Sequence, residues 1–226
     1  MDWTVRDVAK MIDHSLLNPI LTWPELEKGC ALARELDVAS VCILPYALKR
    51  CAEILKGSAV KASTTIGFPH GGHARAVKVV EAKQALADGG EELDMVANIS
   101  AVKSGLWDLV RDEIRELTDI THAAGQKIKV IFENCHLTEA EKIRLCQICA
   151  EAKADWVKTS TGYGPGGATL DDLRLMRKHS PPSVQVKAAG GIRTLDALLE
   201  VREIGVSRCG ASKTAEILAE ARARKS

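Results

Sequence analysis

The feature that most constrains the fold of this chain is a regular alternation of short β-prone runs with longer segments of helical periodicity. The runs recur about every 28 residues, which is the size of a βαβ unit. Seven are clear: Ala39–Leu44, Val60–Ile66, Glu92–Ala97, Lys127–Glu133, Asp155–Ser160, Ser183–Ala188 and Val206–Gly210. A weaker eighth candidate lies near Met11–Leu16. This alternation predicts a parallel sheet whose strands are connected by helices.

Capping signals mark where the segments between these runs begin and end as helices. Two capping boxes are present, Thr22 with Glu25 and Thr138 with Glu141, in which the two side chains satisfy free backbone N–H groups. Glycines follow three helical segments where a left-handed residue is expected: Gly57, Gly89 and Gly125. The sequence therefore predicts helices between the strands.

The organisation of the chain favours a single domain over residues 1–226. No Pro-, Gly- or Ser-rich linker and no shift in composition divides the 226 residues. That length suits one (β/α)8 barrel, since such barrels have about 200–250 residues. An open doubly wound sheet shows the same alternation, although it more often begins with a GxGxxG motif, which is absent after the first strand. The residue pattern alone leaves the closed barrel and the open sheet as alternatives.

The charge balance argues against several classes of partner. Lys and Arg number 31 and Asp and Glu number 30, so there is no net field to attract nucleic acid or an anionic membrane. The longest apolar runs are far shorter than the roughly 18 residues of a membrane span, and residues 1–10 lack the apolar core of a secretory signal. Seven cysteines, an odd number, favour a reducing cytoplasmic location. We interpret Cys146 and Cys149 as one helix face rather than a redox pair.

Four predicted strands carry an ionisable residue where a buried parallel strand is usually apolar. They are Asp94, Lys129, Lys158 and Lys187, each preceded by an aliphatic residue. Because side chains alternate along a strand, apolar neighbours packed under helices would place all four charges inside the barrel. The alternative is that the lysines lie at strand ends in solvent. Burying an isolated charge is costly, so we expect the four groups to be paired or functional.

Lysines that lie close together have a chemical consequence. An ammonium group lowers the pKa of a neighbouring lysine and leaves a neutral amine near neutral pH. A neutral amine attacks a carbonyl carbon and forms a Schiff base, while a carboxylate and a second lysine move protons. This is the set of groups that a class I aldolase needs.

Glycine clusters follow the last three predicted strands. They lie in the segments Thr159–Gly167 and Ala189–Thr194, and in Gly210-Ala211-Ser212 directly before a predicted helix over 213–223. Glycine lets the backbone approach a ligand closely, and a helix N-terminus presents free N–H groups to an anion. Barrel enzymes often hold phosphate in this region. The sequence therefore predicts a phosphate site at these loops.

Motifs in the same order along nearly the whole chain resemble those of the deoxyribose-phosphate aldolase (DeoC) family. The most specific combination is Lys158-Thr159-Ser160-Thr161-Gly162 with Gly190-Gly191-Ile192-Arg193. Further matching stretches are Ile12–Pro19, Val41–Tyr46, Thr65–Gly71, Glu92–Val96, Lys129–Glu133 and Ser207–Ser212.

The resemblance implies an α/β protein with a (β/α)8 TIM barrel and no cofactor or metal. It implies reversible cleavage of 2-deoxy-D-ribose 5-phosphate to D-glyceraldehyde 3-phosphate and acetaldehyde, in deoxyribonucleotide catabolism. Lys158 matches the Schiff-base lysine, Lys187 the second lysine that perturbs it, and Asp94 the acid/base carboxylate. The matching substrate-binding positions are Asp13, Cys42, Lys129, Thr161, Gly162, Gly190, Gly191, Gly210 and Ser212. A homodimer is common in the family.

The chain departs from the family pattern near the substrate and at its end. After the lysine motif, Tyr163-Gly164-Pro165 replaces the usual Phe-Ser-Thr, and Asn134 replaces the usual threonine after Glu133. The last residues contain no tyrosine, which many members carry there. Two alternatives stay open: a Schiff-base aldolase for a different phosphorylated sugar, and a non-catalytic sugar-phosphate binding protein. The combination of a carboxylate and two lysines argues against the second, because a binding protein has no need for a neutral amine.

Overall fold

Eight parallel strands close into a barrel in chain order, and the last strand pairs with the first. The structure, a computed structural model, describes residues 2–225, so Met1 and Ser226 of the predicted domain 1–226 lie outside the described residues. The strands are β1 (Ile12–Leu16), β2 (Ser40–Ile43), β3 (Lys61–Ile66), β4 (Glu92–Val96), β5 (Lys127–Ile131), β6 (Trp156–Lys158), β7 (Gln185–Ala188) and β8 (Arg208–Ala211). The predicted TIM barrel is confirmed, and the open sheet is wrong. The weak strand candidate near Met11–Leu16 is β1.

Helices surround this barrel. They are α1 (Val5–Ala9), α2 (Trp23–Glu35), α3 (Leu48–Leu55), α4 (Arg75–Ala87), α5 (Ile99–Lys103), α6 (Trp107–Ala123), α7 (Glu139–Glu151), α8 (Leu170–His179), α9 (Leu195–Glu203) and α10 (Thr214–Ala223). Short 3-10 turns cover Pro45–Ala47 and Asn134–His136. Between residues 2 and 225, none of the helices has the length and apolar character needed to cross a membrane.

The predicted capping signals are present at the helix ends. At α7, Thr138 Oγ1 accepts a hydrogen bond from the Glu141 N–H, and the Glu141 carboxylate accepts one from the Thr138 N–H at 2.6 Å. At α2, the Glu25 carboxylate accepts from the Thr22 N–H at 2.7 Å. The three glycines predicted to follow helices have left-handed φ values: Gly57 (78°), Gly89 (91°) and Gly125 (73°).

The alternation of side chains along the strands places the ionisable residues inside the barrel. Leu93 and Met95, on either side of Asp94 in the chain, are fully buried in the hydrophobic core. Asp94 is paired in register with Lys129 on β5, and the three lysines of the predicted cluster are at most 3% exposed. The alternative in which these lysines lie in solvent is therefore wrong.

A buried ion pair joins two outer helices to the barrel. Lys78 of α4 and Glu113 of α6 are 0% exposed, and Lys78 Nζ lies 2.9 Å from Glu113 Oε2. The same ammonium group donates a hydrogen bond to the carbonyl of Val96 at the end of β4, at 2.8 Å. Burial lowers the pKa of Lys78 and raises that of Glu113, so each charge depends on the other to remain ionised. The pair fixes α4 and α6 against β4.

We expect Lys78→Met to destabilise the fold by about 3–5 kcal/mol, because it leaves the Glu113 carboxylate buried without a cation. The free energy of unfolding, measured by urea titration, checks this. A matched control is Lys213→Met, which removes the exposed Lys213–Glu216 pair and should cost at most about 1 kcal/mol. Equal losses in the two variants would contradict a special role for the buried pair.

Candidate active site

The carboxylate of Asp94 lies at the centre of three lysines inside the barrel. Its Oδ2 accepts hydrogen bonds from Lys158 Nζ and Lys187 Nζ, both at 2.7 Å. Its Oδ1 accepts one from Lys129 Nζ at 2.9 Å. The four residues come from the adjacent strands β4, β5, β6 and β7, so the strand pairing itself brings them together. The three residues expected from the sequence to be catalytic are therefore in direct contact.

Lys158 has fewer carboxylate partners than the other two lysines. Among the residues that the structure describes, only the Asp94 carboxylate lies within ion-pair distance of Lys158 Nζ. Burial is the main reason that the pKa of Lys158 is lowered from its ordinary 10.5; Asp94 opposes this shift, and Lys187 adds to it. The sequence predicted a low pKa from neighbouring ammonium groups alone. In the structure, burial is the first cause and the neighbouring ammonium is a smaller one.

Lys187 and Asp94 are held in their charged forms. Burial alone would lower the pKa of Lys187, but the carboxylates of Asp13 and Asp94 raise it above 10.5. Asp13 Oδ2 lies 2.6 Å from Lys187 Nζ. Burial opposes ionisation of Asp94 as well, yet the three lysines hold its pKa well below 3.8. Lys158 is thus the amine that loses its proton most readily beside a fixed carboxylate and a fixed ammonium group.

A cavity of about 190 Å³ opens beside Lys158 and Lys187 at the carboxyl ends of the strands. Its lining comes from β1, β2, β6, β7 and β8 and the loops that follow them. The predicted site residues among its lining are Asp13, Cys42, Lys158, Thr161, Gly162, Lys187, Gly190, Gly191, Gly210 and Ser212. Of the remaining lining residues, Ala189, Ile192 and Arg193 belong to the predicted phosphate loop Ala189–Thr194, whereas Ser15 and Leu17 were missed as site residues. Burial raises the pKa of the Cys42 thiol, which keeps it protonated against the cavity wall.

Lys129 was expected to line this pocket, and the structure places it deeper. It is fully buried and lies outside the cavity lining. The stagger of the barrel is the physical reason, because Lys129 is in register with Trp156, two residues before Lys158 on β6. Lys129 therefore lies one layer below Lys158 and donates its hydrogen bond to Asp94 from that deeper position. Asp94 also lies outside the cavity lining. It is connected to the cavity by Lys158 and Lys187, which line the cavity and donate hydrogen bonds to its carboxylate.

Two further charged residues in this lower layer were missed in the sequence. Glu92 is 3% exposed and accepts a hydrogen bond from Lys129 Nζ at 2.5 Å. Arg208 donates to Glu92 from Nη2 at 2.8 Å and to Asp13 from Nη1 at 2.6 Å. The sequence contained a signal for Glu92, because Glu92 precedes Asp94 by two residues and therefore points to the same side of β4.

Backbone packing between two loops shapes the predicted phosphate region. Gly162, Gly190 and Gly191 have φ values of 89°, 80° and 99°, which favour glycine strongly. A Cβ atom on Gly167 would lie 2.4 Å from the carbonyl oxygen of Gly190. The Ala168 N–H donates to the same carbonyl at 3.0 Å. The loops after β6 and β7 are therefore in direct backbone contact at the cavity wall.

The loop after β6 is held by a buried carboxylate and spans the mouth of the barrel. Glu133 accepts hydrogen bonds from the N–H and the hydroxyl of Thr161. Thr161 Oγ1 in turn accepts one from the Tyr163 N–H at 3.0 Å. The Tyr163 hydroxyl donates to the carbonyl of Leu17 at 2.6 Å, and its ring packs edge-to-face on Phe68 with centroids 5.4 Å apart. The tyrosine at which the loop departs from the family pattern thus joins the loops after β1, β3 and β6.

Known proteins resemble this chain in sequence over almost its full length. A deoxyribose-phosphate aldolase from Rhodopirellula baltica is 68% identical, over 98% of this chain and 92% of that protein. One from Thermococcus gammatolerans is 48% identical, over 96% of this chain and 97% of that protein.

Solved structures of aldolases superpose closely on this barrel. One, described as QR15, an aldolase, has a TM-score of 0.92 and 40% identity, and the match covers 97% of each chain. A tetrameric deoxyribose phosphate aldolase from Aeropyrum pernix has a TM-score of 0.90 and 26% identity, over 98% of this chain and 93% of that chain. The model of the DeoC/LacD family aldolases matches residues 7–212. The chain is therefore a member of the DeoC/LacD family of aldolases.

Proposed function

We propose that this protein is a class I aldolase that reversibly cleaves 2-deoxy-D-ribose 5-phosphate to D-glyceraldehyde 3-phosphate and acetaldehyde. The observation that carries the proposal is the position of Lys158. Its amine is buried, is paired with a single carboxylate and borders a cavity next to a second, ammonium-bearing lysine. The names of the relatives, which are deoxyribose-phosphate aldolases at up to 68% identity, support the choice of substrate.

The reaction begins when the neutral Lys158 Nζ attacks C1 of the open-chain sugar. The carbinolamine loses water to form an iminium ion, which withdraws electrons from the C2–C3 bond. Loss of the C3 hydroxyl proton lets this bond break, and its electron pair forms an enamine on C1 and C2. C3 becomes the aldehyde carbon of D-glyceraldehyde 3-phosphate. Protonation of the enamine at C2, followed by hydrolysis, releases acetaldehyde and restores the amine.

Lys187 and Asp94 act together on the protons in this scheme. Lys187 lines the cavity, whereas Asp94 lies behind it and accepts a hydrogen bond from Lys187 Nζ. Because Lys187 already carries a proton, the proton of the C3 hydroxyl passes, through Lys187 or through a water molecule bonded to it, to the Asp94 carboxylate, which gives it up again when C2 of the enamine is protonated. Asp94, kept ionised by the lysines, stabilises the positive charge of the iminium ion at Lys158.

The glycine loops supply the substrate phosphate with backbone N–H groups. Gly190 and Gly191 after β7, and Ser212 just before α10, lie on one side of the cavity. Glycine backbones permit close approach, and the start of α10 adds the favourable end of a helix dipole. Holding the phosphate places C1 at the lysine, an orientation effect that lowers the barrier to attack.

A different phosphorylated sugar is the second candidate substrate. The observation that favours it is the Tyr163–Leu17 hydrogen bond across the barrel mouth, where the loop departs from the family pattern.

Four further expectations from the sequence stay predictions. They are the single domain over 1–226, the homodimer, the cytoplasmic location and the role in deoxyribonucleotide catabolism.

The Schiff base is tested by borohydride reduction in the presence of 2-deoxy-D-ribose 5-phosphate, with the adduct mapped by mass spectrometry. We expect a single adduct on Lys158. Lys158→Leu should abolish the adduct and lower kcat by at least about 10³-fold, because the nucleophile is lost. Lys178→Leu, at an exposed lysine of α8, should leave both unchanged. An adduct on another lysine would refute the assignment of Lys158 as the Schiff-base lysine. Turnover of another sugar phosphate in preference to 2-deoxy-D-ribose 5-phosphate would favour the second candidate substrate.

The pH dependence follows from the lowered pKa of Lys158. Only the neutral amine attacks, so a pKa below 10.5 increases the reactive fraction at neutral pH. We expect the acid limb of kcat/KM, on which Lys158 becomes protonated, to lie below pH 10.5. Lys187→Met removes a charge that lowers this pKa, so its acid limb should move to higher pH. A wild-type acid limb near pH 10.5 would contradict the account.

The phosphate loops are tested by Gly167→Ala. Its Cβ would meet the Gly190 carbonyl and push two cavity loops apart, so we expect KM for the phosphorylated sugar to rise by about tenfold or more with a smaller change in kcat. Gly72→Ala is the matched control, because nothing lies within 4 Å of a Cβ there. Equal KM values in the two variants would show that these loops do not hold the phosphate.

A further inference from the structure

The buried charges of the barrel do not balance when all of them are ionised. The network in the described part of the chain contains three carboxylates, on Asp13, Glu92 and Asp94, and four cationic groups, on Lys129, Lys158, Lys187 and Arg208. One positive charge is therefore in excess, and the count is balanced when one amine is neutral. Buried charges are poorly screened by water, so this count affects every group in the network.

Glu92 and Arg208 lie in the lower layer of this network, away from the cavity. Glu92 accepts hydrogen bonds from Lys129 Nζ at 2.5 Å and from Arg208 Nη1 and Nη2 at 3.1 and 2.8 Å. Neither Glu92 nor Arg208 lines the cavity beside Lys158, and both border the opening at the opposite end of the barrel. Any effect that they have on the reaction must therefore pass through other residues.

Two short paths connect this pair to Lys158. On one, Lys129 donates to Glu92 Oε2 and to Asp94 Oδ1, and Asp94 Oδ2 faces Lys158. The other begins at Arg208, whose guanidinium group contacts Asp13; Asp13 contacts Lys187, and Lys187 shares Asp94 Oδ2 with Lys158. Both paths end on the same carboxylate.

The groups that act on Lys158 come from every side of the barrel. Asp94 on β4 and Lys187 on β7 contact it or share its partner, and Cys42 on β2, whose thiol is held protonated, lines the same cavity. Lys129 on β5 and Asp13 on β1 complete the surroundings through Asp94 and Lys187. Among residues 2–225, the ion pairs of these groups all lie within the network itself, so a change at Glu92 or Arg208 changes its total charge.

We propose that Glu92 and Arg208 are positioning residues that tune the protonation of the Lys158 amine in opposite directions. Loss of the Glu92 charge leaves the network more positive, so a proton on Lys158 is less favourable. Loss of the Arg208 charge leaves it more negative, so the same proton is more favourable. The inference rests on the proposed function, because the protonation of the Lys158 amine is measured through its Schiff-base chemistry.

The test compares Glu92→Gln, Arg208→Gln and the double variant by the pH dependence of kcat/KM and of borohydride trapping on Lys158. Glu92→Gln should move the acid limb down by about one pH unit, and Arg208→Gln should move it up by about one. The double variant, in which the removed charges cancel, should return the limb to within about 0.3 unit of the wild type. A purely structural role would instead impair both single variants in the same way and the double variant more.

Charge-preserving variants keep the test decisive if a single variant does not fold. Glu92→Asp and Arg208→Lys change the geometry but not the charge, so their acid limbs should stay near that of the wild type while kcat falls. Limbs that do not move in Glu92→Gln and Arg208→Gln, or that move in the same direction, would overturn the inference. Failure of the wild type to form the Lys158 adduct would instead overturn the proposed function, so the two failures are distinguishable.

Discussion

The site depends on one carboxylate that shares its two oxygens among three lysines in a space without bulk water. A buried carboxylate is stable only when cations and hydrogen bonds replace its hydration, and Asp94 receives both from Lys129, Lys158 and Lys187. The converse also holds, because one carboxylate cannot compensate three ammonium groups. Asp13 and Glu92 supply further negative charge to Lys187 and Lys129. Lys158 receives none from them, and it faces the cavity.

The barrel produces this asymmetry through its stagger. Neighbouring strands are offset, so residues that point inward from different strands lie in different layers. Lys158 lines the cavity, whereas Lys129 is in register with Trp156, two residues before Lys158, and lies deeper. The cavity end of the network therefore carries Lys158 and Lys187, and Glu92 and Arg208 border the opposite end of the barrel. The same closed sheet places the glycine loops after β6 and β7 at the cavity end.

Local patterns and a family resemblance predicted much of this arrangement from the sequence. Alternation along the strands predicted Asp94 and the lysines inside if their apolar neighbours pack under the helices, and it left lysines at strand ends in solvent as the alternative. The depth of Lys129 inside the barrel was not predictable from the sequence, because it depends on the offset between neighbouring strands. Burial as the first cause of the low Lys158 pKa required the folded barrel. The Tyr163–Leu17 hydrogen bond joins residues 146 positions apart, and no local pattern specifies such a contact.

The central claim is that Lys158 is the lysine of this cluster that loses its proton most readily. NMR titration of the protein with isotope-labelled lysine side chains measures the three values directly. The account predicts that Lys158 titrates below the ordinary 10.5, while Lys129 and Lys187 titrate above it. A Lys158 pKa equal to or higher than that of Lys187 would contradict it.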